Sequence, residues 1–437
     1  MTNLELKNRD LSVLWHPCTQ MKDHETLPLI PIKRAYGVYL EDFDGNRYID
    51  AISSWWVNLF GHSNEYINAK VKEQLDTLEH VILAGFTHEQ VVKLSERLLY
   101  LAPKGLKKCF YADNGSSGVE VALKMSFHAH KNRGKNKKFF VSLTNSYHGE
   151  TIGALSVGDV KLYKDTYEPL LIKSIQTQVP KDMSLEAALE ASSEFENLCK
   201  KRGGEISAII LEPLVQGAGY MHMYHKEFLI SVRRICSRYD IHLIADEVMT
   251  GFGRTGEMFA CLSANITPDF LILSKGLTGG YLPLSVVLTT DEIYETFYCD
   301  YSEYKAFLHS HSYTGNALAC AAANATLDLF ERDDVIEKNR ITAKYIGDKL
   351  SAFRDLPNVE AIRQTGMICA IELNGYKPED RVGLRVYQYG LEHGVLLRPL
   401  GHIIYFMPPY IITKDECDKM MDTAYEAIKV LLTDPVY

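Results

Sequence analysis

Two charged residues stand at the ends of two short apolar stretches in the middle of the chain. Asp246 follows the run from Ile241 to Ala245, and Lys275 follows the run from Phe270 to Ser274. Such runs are typical of strands covered on both faces, as in a parallel α/β sheet, whose ligands bind beyond the carboxyl ends of the strands. We therefore expect both side chains to face one crevice. A desolvated amine there is a potential nucleophile, and a carboxylate can hold a cationic ring nitrogen.

A loop of small residues, Asp113 to Gly118, follows a predicted strand and opens a predicted helix. The free N–H groups of a first helical turn favour anions, so this loop and helix start are predicted to form a phosphate site. An ordinary capped helix is the alternative. Tyr147 follows another predicted strand and supplies an aromatic face. A phosphate clamp, an aromatic face, a carboxylate and an amine are the parts that hold pyridoxal phosphate. The simpler interpretation of the carboxylate and the amine is a buried salt bridge between Asp246 and Lys275.

Strands alternate with helices through the middle of the chain, which favours βαβ units and a mainly parallel central sheet. From Val359 onward the pattern indicates a smaller α+β domain. Asp44-Gly45 signals a hairpin, and the prolines of residues 1–35 predict an extended arm. The predicted fold class is therefore α/β with two domains. Residues 1–60 form an arm and hairpin packing with the small domain, residues 61–325 the large domain, and residues 326–437 the small domain.

Composition excludes several classes of function. The 437 residues are 46% hydrophobic and 24% charged, and the net charge of −9 gives no attraction to nucleic acid or anionic membranes. The basic run of residues 131–138 is predicted to be a solvated loop. Nine cysteines without a CxxC pair indicate a reducing compartment, and neither an apolar signal segment nor a membrane-length apolar run is present. We expect a cytoplasmic protein.

Two rival interpretations are weaker. Residues 251–256 (GFGRTG) match the GxGxxG pattern of dinucleotide-binding oxidoreductases, but such glycines should open a helix leading to a strand with an acid at its carboxyl end. Here Asp269 precedes the next strand and Lys275 ends it. The histidines of residues 222–225 and 309–311 have no carboxylate or cysteine at ligand spacing, so no metal site is expected.

The order of the strings GSSGVEVALK, SYHGET, EPLVQGAG, DEVMTGFGRTG, SKGLTGG and TGNALACAAAN resembles class-III pyridoxal-phosphate aminotransferases of fold type I. The resemblance runs from about Trp15 to the last predicted helix. The strings SSWW, MYH, LLRPLG and IIYFMPPYI are similar to one branch of that family. It uses S-adenosylmethionine to aminate 8-amino-7-oxononanoate in biotin synthesis by a ping-pong mechanism. The resemblance implies a large domain with a mainly parallel sheet and a smaller α+β domain.

The resemblance also implies roles for single residues. Lys275 would carry the cofactor, Asp246 would pair with its pyridinium, and Tyr147 would stack on its ring. Gly115 and Ser116 would bind its phosphate, helped by Ser312, with His311 beside it, from the other subunit of a homodimer with shared active sites. Substrate contacts would include Lys275 and Tyr147 together with Trp55, Trp56, Arg254, Ser310, Arg398 and Tyr405.

Two departures from the branch concern the substrate side. Cys18 stands where the branch usually has Tyr, and Glu150 stands where related enzymes commonly have Asp. They leave the amino donor open between S-adenosylmethionine and lysine. Another class-III ω-aminotransferase and a binding protein without activity are further alternatives, although the presence of both Asp246 and Lys275 disfavours the latter.

Overall fold

The computed structural model describes residues 1–433. The helices are α1 (Asn3–Val13), α2 (Ser53–Trp56), α3 (Glu65–Leu75), α4 (Glu89–Leu101), α5 (Gly115–Asn132), α6 (Ile152–Ser156), α7 (Lys161–Lys164), α8 (Leu185–Arg202), α9 (Glu227–Tyr239), α10 (Ala260–Ser263), α11 (Asp291–Tyr294), α12 (Ala317–Asp333), α13 (Val335–Leu350), α14 (Val382–Glu392) and α15 (Lys414–Thr433). Within the described residues, none of them combines the length and apolarity that crossing a bilayer requires.

The strands form a seven-stranded sheet, two smaller sheets and a two-stranded ribbon. They are β1 (Ile32–Tyr36), β2 (Tyr39–Asp42), β3 (Arg47–Asp50), β4 (Leu106–Ala112), β5 (Phe139–Leu143), β6 (Ile175–Thr177), β7 (Ile206–Leu211), β8 (Val215–Gln216), β9 (His222–Met223), β10 (His242–Asp246), β11 (Phe270–Leu273), β12 (Ser285–Thr290), β13 (Val359–Thr365), β14 (Ile368–Leu373), β15 (Val395–Leu396) and β16 (Ile403–Phe406).

The large sheet has the order β4-β12-β11-β10-β7-β5-β6. The five strands from β11 to β6 run parallel, whereas β12 is antiparallel to both of its neighbours. All residues of β7, β10 and β11 are buried, because helices cover both faces of a parallel sheet. The predicted α/β fold with a mainly parallel central sheet is confirmed. The carboxyl ends of these strands define the edge at which the predicted site lies.

Helix α5 connects this edge to the core. Asn114 caps it, since its side-chain oxygen accepts the Ser117 N–H at 3.0 Å. Its inner face buries Val119 and Ala122 against the sheet. Gly118 permits the close approach, because a Cβ there would lie 2.9 Å from Cγ2 of Ile272. The helix therefore starts at the strand ends with its free N–H groups directed at them.

The chain divides into two compact units: residues 1–65, 341–364 and 368–437, and residues 66–340 with 365–367. In the first unit, the hairpin predicted at Asp44-Gly45 is confirmed, with Tyr39 opposite Ile49. Strand β15 adds to it in parallel, pairing Val395 with Ile49. Strands β13, β14 and β16 form the second sheet of this unit. The domain limits given above stay a prediction.

The prediction of an extended arm over residues 1–35 is wrong for α1. Thr2 and Glu5 form a reciprocal capping box at 3.2 and 2.9 Å, which stabilises the start of the helix. Asn3 fastens it to the hairpin: its side-chain N–H donates to Asp42 at 2.9 Å and its oxygen accepts the Phe43 N–H at 3.0 Å. The prolines that suggested an arm all lie beyond this helix.

Candidate active site

Asp246 and Lys275 lie at the carboxyl ends of adjacent strands. Asp246 ends β10 and is opposite Ile272 of the parallel strand β11. Along the chain, Ile272 is followed by Ser274 two residues later and by Lys275 three residues later. Asp246 is buried, and Lys275 follows in the left-handed region at a φ of 45°. Burial lowers the pKa of the Lys275 amine to about 8, because a desolvated ammonium is disfavoured, and the negative charges of Asp246 and Glu212 oppose this shift. The amine is poised to lose its proton near neutral pH.

His148 is a site residue that the sequence motifs did not assign. Its Nδ1 lies 2.7 Å from Oδ2 of Asp246, and the Val248 N–H donates to Oδ1 at 3.1 Å. The imidazole is fully buried, and its Nε2 has no hydrogen-bond partner among the described residues. Because a carboxylate only accepts, Nδ1 carries the proton in this pair. His148 thereby fixes the orientation of the Asp246 carboxylate.

Two glycines bring the start of α5 against these loops. A Cβ on Gly149, whose φ is 120°, would lie 1.9 Å from Oγ of Ser116. A Cβ on Gly115 would lie 2.9 Å from Cγ1 of Val248. The loop that carries Tyr147 and the turn after Asp246 therefore both touch the first turn of α5. This arrangement places the predicted phosphate-binding residues beside the predicted ring-binding residues.

Glu212 is a second unassigned residue, and it follows β7 at the same edge. Its carboxylate accepts the N–H groups of Tyr147 at 3.0 Å and Gly217 at 2.8 Å. Burial raises its pKa to about 7, and these two hydrogen bonds and His148 act in the opposite direction. The Tyr147 hydroxyl donates to Glu150 at 3.1 Å. Glu212 thus holds the Tyr147 backbone, while Glu150 holds its ring end. The sequence signal that could have identified Glu212 was its position directly after a strand, like that of Asp246.

The first unit contains the predicted tryptophan pair in a rare conformation. Residues Ser53 to Trp56 all have φ between 47° and 74°, so α2 is one left-handed turn. Each such residue costs about 1–2 kcal/mol for an L-amino acid, so surrounding contacts must hold the turn. The turn exposes 40% of Trp55 and buries Trp56.

Both indoles contact other predicted substrate residues of the same unit. The Trp56 Nε1–H donates to the Tyr405 hydroxyl at 3.1 Å, and the two rings meet edge to face. The Arg398 guanidinium lies 5.3 Å from the centre of the Trp55 ring, within cation–π range. Trp55, Trp56, Arg398 and Tyr405 therefore form one cluster, here called the tryptophan wall.

The other predicted residues lie in the second unit. Arg254 is buried, and its carbonyl accepts the Met367 N–H at 2.9 Å. His311 is 3.4 Å from Asp113, just before the capping residue of α5. Ser310 and Ser312 are exposed, and the Ser312 carbonyl is 2.8 Å from Nε2 of His80. These contacts place His311 beside the start of α5 but do not join Arg254, Ser310 or Ser312 to the cluster around Asp246.

The oxidoreductase alternative has no support in this geometry. Residues 251–256 are turns, with φ of 89° at Gly253 and 101° at Gly256, and the next helix, α10, has four residues. A dinucleotide site needs the glycines at the start of a longer helix, whose N-terminus holds the pyrophosphate. Among residues 1–433, no group of three His, Cys, Asp or Glu side chains is arranged to hold a metal.

Comparison with known families agrees with this geometry. The aminotransferase class-III family matches residues 20–428. The chain belongs to the class-III aminotransferases. A relative from Helicobacter pylori named adenosylmethionine-8-amino-7-oxononanoate aminotransferase is 55% identical over 429 residues, or 97% of each chain. A protein of the same name from Geobacter sulfurreducens is 43% identical, again over 97% of each chain.

Solved structures show the same fold. The adenosylmethionine-8-amino-7-oxononanoate aminotransferase of Methanocaldococcus jannaschii has a TM-score of 0.94 and 39% identity, covering 98% of this chain and 99% of that one. An omega transaminase of Pseudomonas jessenii in complex with PMP has a TM-score of 0.92 and 27% identity, covering 98% of both chains. The predicted family and fold type are confirmed.

The chain is thus a pyridoxal-phosphate-dependent aminotransferase, and its residues fit that cofactor. The N–H groups of the α5 first turn suit a phosphate, and the glycine contacts leave no side chain over it. A buried carboxylate suits a protonated pyridine nitrogen, and an amine of lowered pKa suits an aldehyde. The fit depends on the donor types, which the sequence predicted, and on the backbone approach at Gly115 and Gly149, which the structure adds.

Proposed function

We propose that this aminotransferase transfers the amino group of S-adenosylmethionine to 8-amino-7-oxononanoate and yields 7,8-diaminononanoate for biotin synthesis. The observation that carries the proposal is the 55% identity, over nearly the full length of both chains, to a relative named for these two substrates. The tryptophan wall supports it, because a flat aromatic face beside a guanidinium suits a nucleoside-bearing donor and a substrate carboxylate.

The cofactor side rests on five residues. Gly115 and Ser116 would hold the phosphate, Tyr147 the ring face, Asp246 the ring nitrogen and Lys275 the aldehyde carbon. Bound pyridoxal phosphate supplies an electron-withdrawing ring that accepts the electron pair released when a substrate α-carbon loses its proton. His148 would keep the Asp246 carboxylate oriented through its 2.7 Å contact.

Lys275 moves the proton in each half-reaction. Its pKa of about 8 means that a sizeable fraction of the amine is neutral near pH 7.5 and can take a proton from the α-carbon of the donor. In the first half-reaction the resulting ammonium would give that proton to the aldehyde carbon of the bound cofactor. In the second, the neutral amine would take a proton from that carbon and deliver it to the acceptor carbon that receives the amino group. The partly buried position limits exchange of that proton with water.

The substrate side would comprise Trp55, Trp56, Arg398 and Tyr405, together with Arg254 and Ser310. Arg398 would bind a carboxylate through its two parallel N–H groups. Trp55 would offer its exposed face to the flat part of a substrate, because it is 40% exposed while Arg398 covers part of the ring. Arg254 is buried, and the family resemblance alone supports its assignment to substrate binding.

The protein would act as a cytoplasmic homodimer. Nine free cysteines suit a reducing compartment. Ser312, which is exposed in the single chain, would reach the phosphate of the partner's cofactor, with His311 beside it. Mixed dimers of K275A and S312D subunits test this sharing. Each parent dimer should be inactive, whereas the mixture should regain activity from the one site in which both residues are native. An inactive mixture of proven heterodimers would contradict the shared site.

A half-reaction identifies the donor. Cofactor-loaded protein is mixed with S-adenosylmethionine or with lysine, and absorbance follows conversion of the bound cofactor to its amine form. We expect S-adenosylmethionine to convert it in the native protein and neither donor to do so in K275A. If lysine alone converts the cofactor, lysine is the amino donor. Lysine is the second candidate because Cys18 and Glu150 depart from the branch on the substrate side. Failure of both would remove the substrate assignment while leaving the family unchanged.

A further inference from the structure

The left-handed turn α2 is built around one carboxylate that has no assigned role. Asp50 ends β3 and is fully buried. Its Oδ1 accepts the Ser54 N–H at 2.9 Å, and its Oδ2 accepts the Ser54 hydroxyl at 2.7 Å. Nε2 of His62 lies 2.9 Å from the same Oδ2. The Ile52 N–H also donates to Oδ1, at 3.4 Å. Four donors thus converge on a single carboxylate, and two of them belong to Ser54 of the strained turn.

Besides the contacts of the two indoles, the turn is bonded through a hydroxyl and through its backbone. The Ser53 hydroxyl donates to the Met407 carbonyl at 2.7 Å, and the Trp56 N–H donates to the Ile52 carbonyl at 2.8 Å. Helical hydrogen bonds of this kind do not by themselves favour the left-handed form, because a right-handed turn makes them without the Cβ clash. The side-chain contacts from Asp50 select the left-handed form, since they fix the Ser54 amide and hydroxyl on the side facing β3.

We propose that Asp50, supported by His62, is a positioning residue that holds the tryptophan wall in the shape that binds the substrates. This inference rests on the proposed function, because it assigns Trp55 and Trp56 to substrate binding. Asp50 acts on the indoles through the backbone of the turn, by way of Ser54 and of the adjacent Ile52 N–H. A right-handed or extended turn would direct the two indoles differently, which would separate Trp55 from Arg398 and Trp56 from Tyr405.

The tryptophan content of the chain permits a direct measurement. The sequence has three tryptophans, and Trp15 is the only one outside the turn. In a W15F background the emission maximum and acrylamide quenching therefore report on Trp55 and Trp56. D50N preserves the size of the side chain but removes its charge, and S54A removes only the hydroxyl contact. D42N is the matched control, because Asp42 is equally buried in the same hairpin. Its carboxylate accepts hydrogen bonds from the side chains of Asn46 and Tyr48 and none from the turn.

We expect D50N to shift the emission to longer wavelength, to increase quenching, and to raise KM for both substrates about three- to ten-fold, the size of one lost aromatic contact. The maximum rate and the cofactor absorbance should change by less than about two-fold, because the proposed catalytic residues are untouched. S54A should show the same changes at a smaller size. D42N should lower stability without either change.

Equal emission and KM in D50N and D42N would overturn the proposal. If D50N does not fold, S54A decides the question by the same two readouts, since Ser54 is exposed and its truncation leaves Asp50 in place. If the W15F parent lacks aminotransferase activity, the proposed function fails, and the emission comparison still decides whether Asp50 holds the turn. The two failures are thus distinguishable.

Discussion

At the scale of single residues, the site depends on the pKa of the Lys275 amine, on which burial and two carboxylates act in opposite directions. Burial lowers the pKa of Lys275, while Asp246 and Glu212 raise it, with a net value of about 8. The neutral fraction of the amine therefore falls about ten-fold for each pH unit below that value. Covalent capture of pyridoxal phosphate by the apoprotein should slow correspondingly as the pH decreases from 8 to 6.

Removing the Glu212 charge should shift this profile. In E212Q the amine loses one favourable negative charge, so the midpoint of capture rate against pH should fall below that of the native protein. E247Q is the control, because Glu247 is also buried with a pKa raised to about 7 but bonds the Ala260 and Cys261 N–H groups instead. Stopped-flow absorbance gives the midpoints. An equal shift of the midpoint in both variants would show that any loss of buried charge lowers the pKa of Lys275, and that Glu212 has no specific effect on it.

Sequence patterns predicted the strand-end positions of Asp246 and Lys275 because a strand run and its end are local features. His148 could not be assigned in this way. Its neighbour Tyr147 belongs to the same string, and only the pairing of β5, β7 and β10 shows that the imidazole reaches Asp246. The left-handed turn was equally hidden, since Ser53-Ser54-Trp55-Trp56 has no glycine to signal positive φ.

At the scale of elements, the loop after β5 must lie directly on the first turn of α5. G149A should disrupt this contact, because its Cβ would meet Ser116 Oγ at 1.9 Å and its φ of 120° disfavours a side chain. We expect affinity for pyridoxal phosphate to fall at least about ten-fold, from displacement of the phosphate-binding turn. Equilibrium dialysis of the apoprotein measures it.

G134A is the matched control for that variant. Gly134 also has positive φ, at 72°, but an added Cβ meets nothing within 4 Å. It should lower stability slightly and leave cofactor affinity unchanged. Equal losses of affinity in both variants would mean that backbone strain alone, rather than the contact with Ser116, accounts for the effect.

The basic run of residues 131–138 also belongs to this scale, and the prediction of a solvated loop is wrong at Lys137. Its buried amine donates to the carbonyls of Gly203 at 2.8 Å, Tyr239 at 3.1 Å and Ile206 at 3.3 Å. It therefore joins the ends of α8 and α9 to the start of β7. K137M should cost about 2–4 kcal/mol of unfolding free energy, because three carbonyls, two of them in buried hydrogen bonds, lose a charged donor.

Urea unfolding measures this cost. K135M is the control, since Lys135 pairs with Asp240 at 2.7 Å on the exposed surface and should be worth less than about 1 kcal/mol. A K137M cost no larger than that of K135M would contradict a structural role for the buried amine. Sequence composition alone could not separate the two lysines, because they are neighbours in one basic run and only tertiary packing buries one of them.

Most of the elements that carry the site were predicted, and the missed ones have identifiable reasons. Helix α8 has a capping serine, with Ser184 Oγ accepting the Ala187 N–H at 3.1 Å. Its buried face is mainly small residues, three of the six being alanine, and gives little apolar periodicity. Strand β6 has three residues, too few for an alternating pattern. Helix α1 buries no residue, so its capping box was the one available signal.

At the scale of the whole molecule, a buried histidine pair links stability to pH. His130 and His242 stack with centroids 4.0 Å apart, and Ser126 Oγ lies 2.9 Å from Nδ1 of His242. Burial lowers the pKa of His130 from 6.5 to about 4 and that of His242 well below its ordinary value. Below pH 6.5 the unfolded chain gains protons that the folded chain does not, so stability falls with decreasing pH.

For His130 this loss amounts to about 1.4 kcal/mol per pH unit between its two pKa values. H130F preserves the stacked ring and cannot take up a proton, so its unfolding free energy should fall less steeply than that of the native protein from pH 6.5 to 4.5. H393F replaces an exposed histidine that stacks on Tyr389 and serves as the control. Parallel pH dependences in the native protein and H130F would contradict the assignment.

Strand β15 has a consequence for biosynthesis. It completes the sheet begun by β1, β2 and β3, pairing Leu396 with Asp50, the carboxylate that holds the left-handed turn. During synthesis, residues 1–65 must therefore wait, with the edge of β3 exposed, until Val395 and Leu396 leave the ribosome. Residues 66–340 can fold meanwhile, since nearly all of their unit is already made. A nascent chain arrested before β15 should offer an open strand edge to chaperones and proteases.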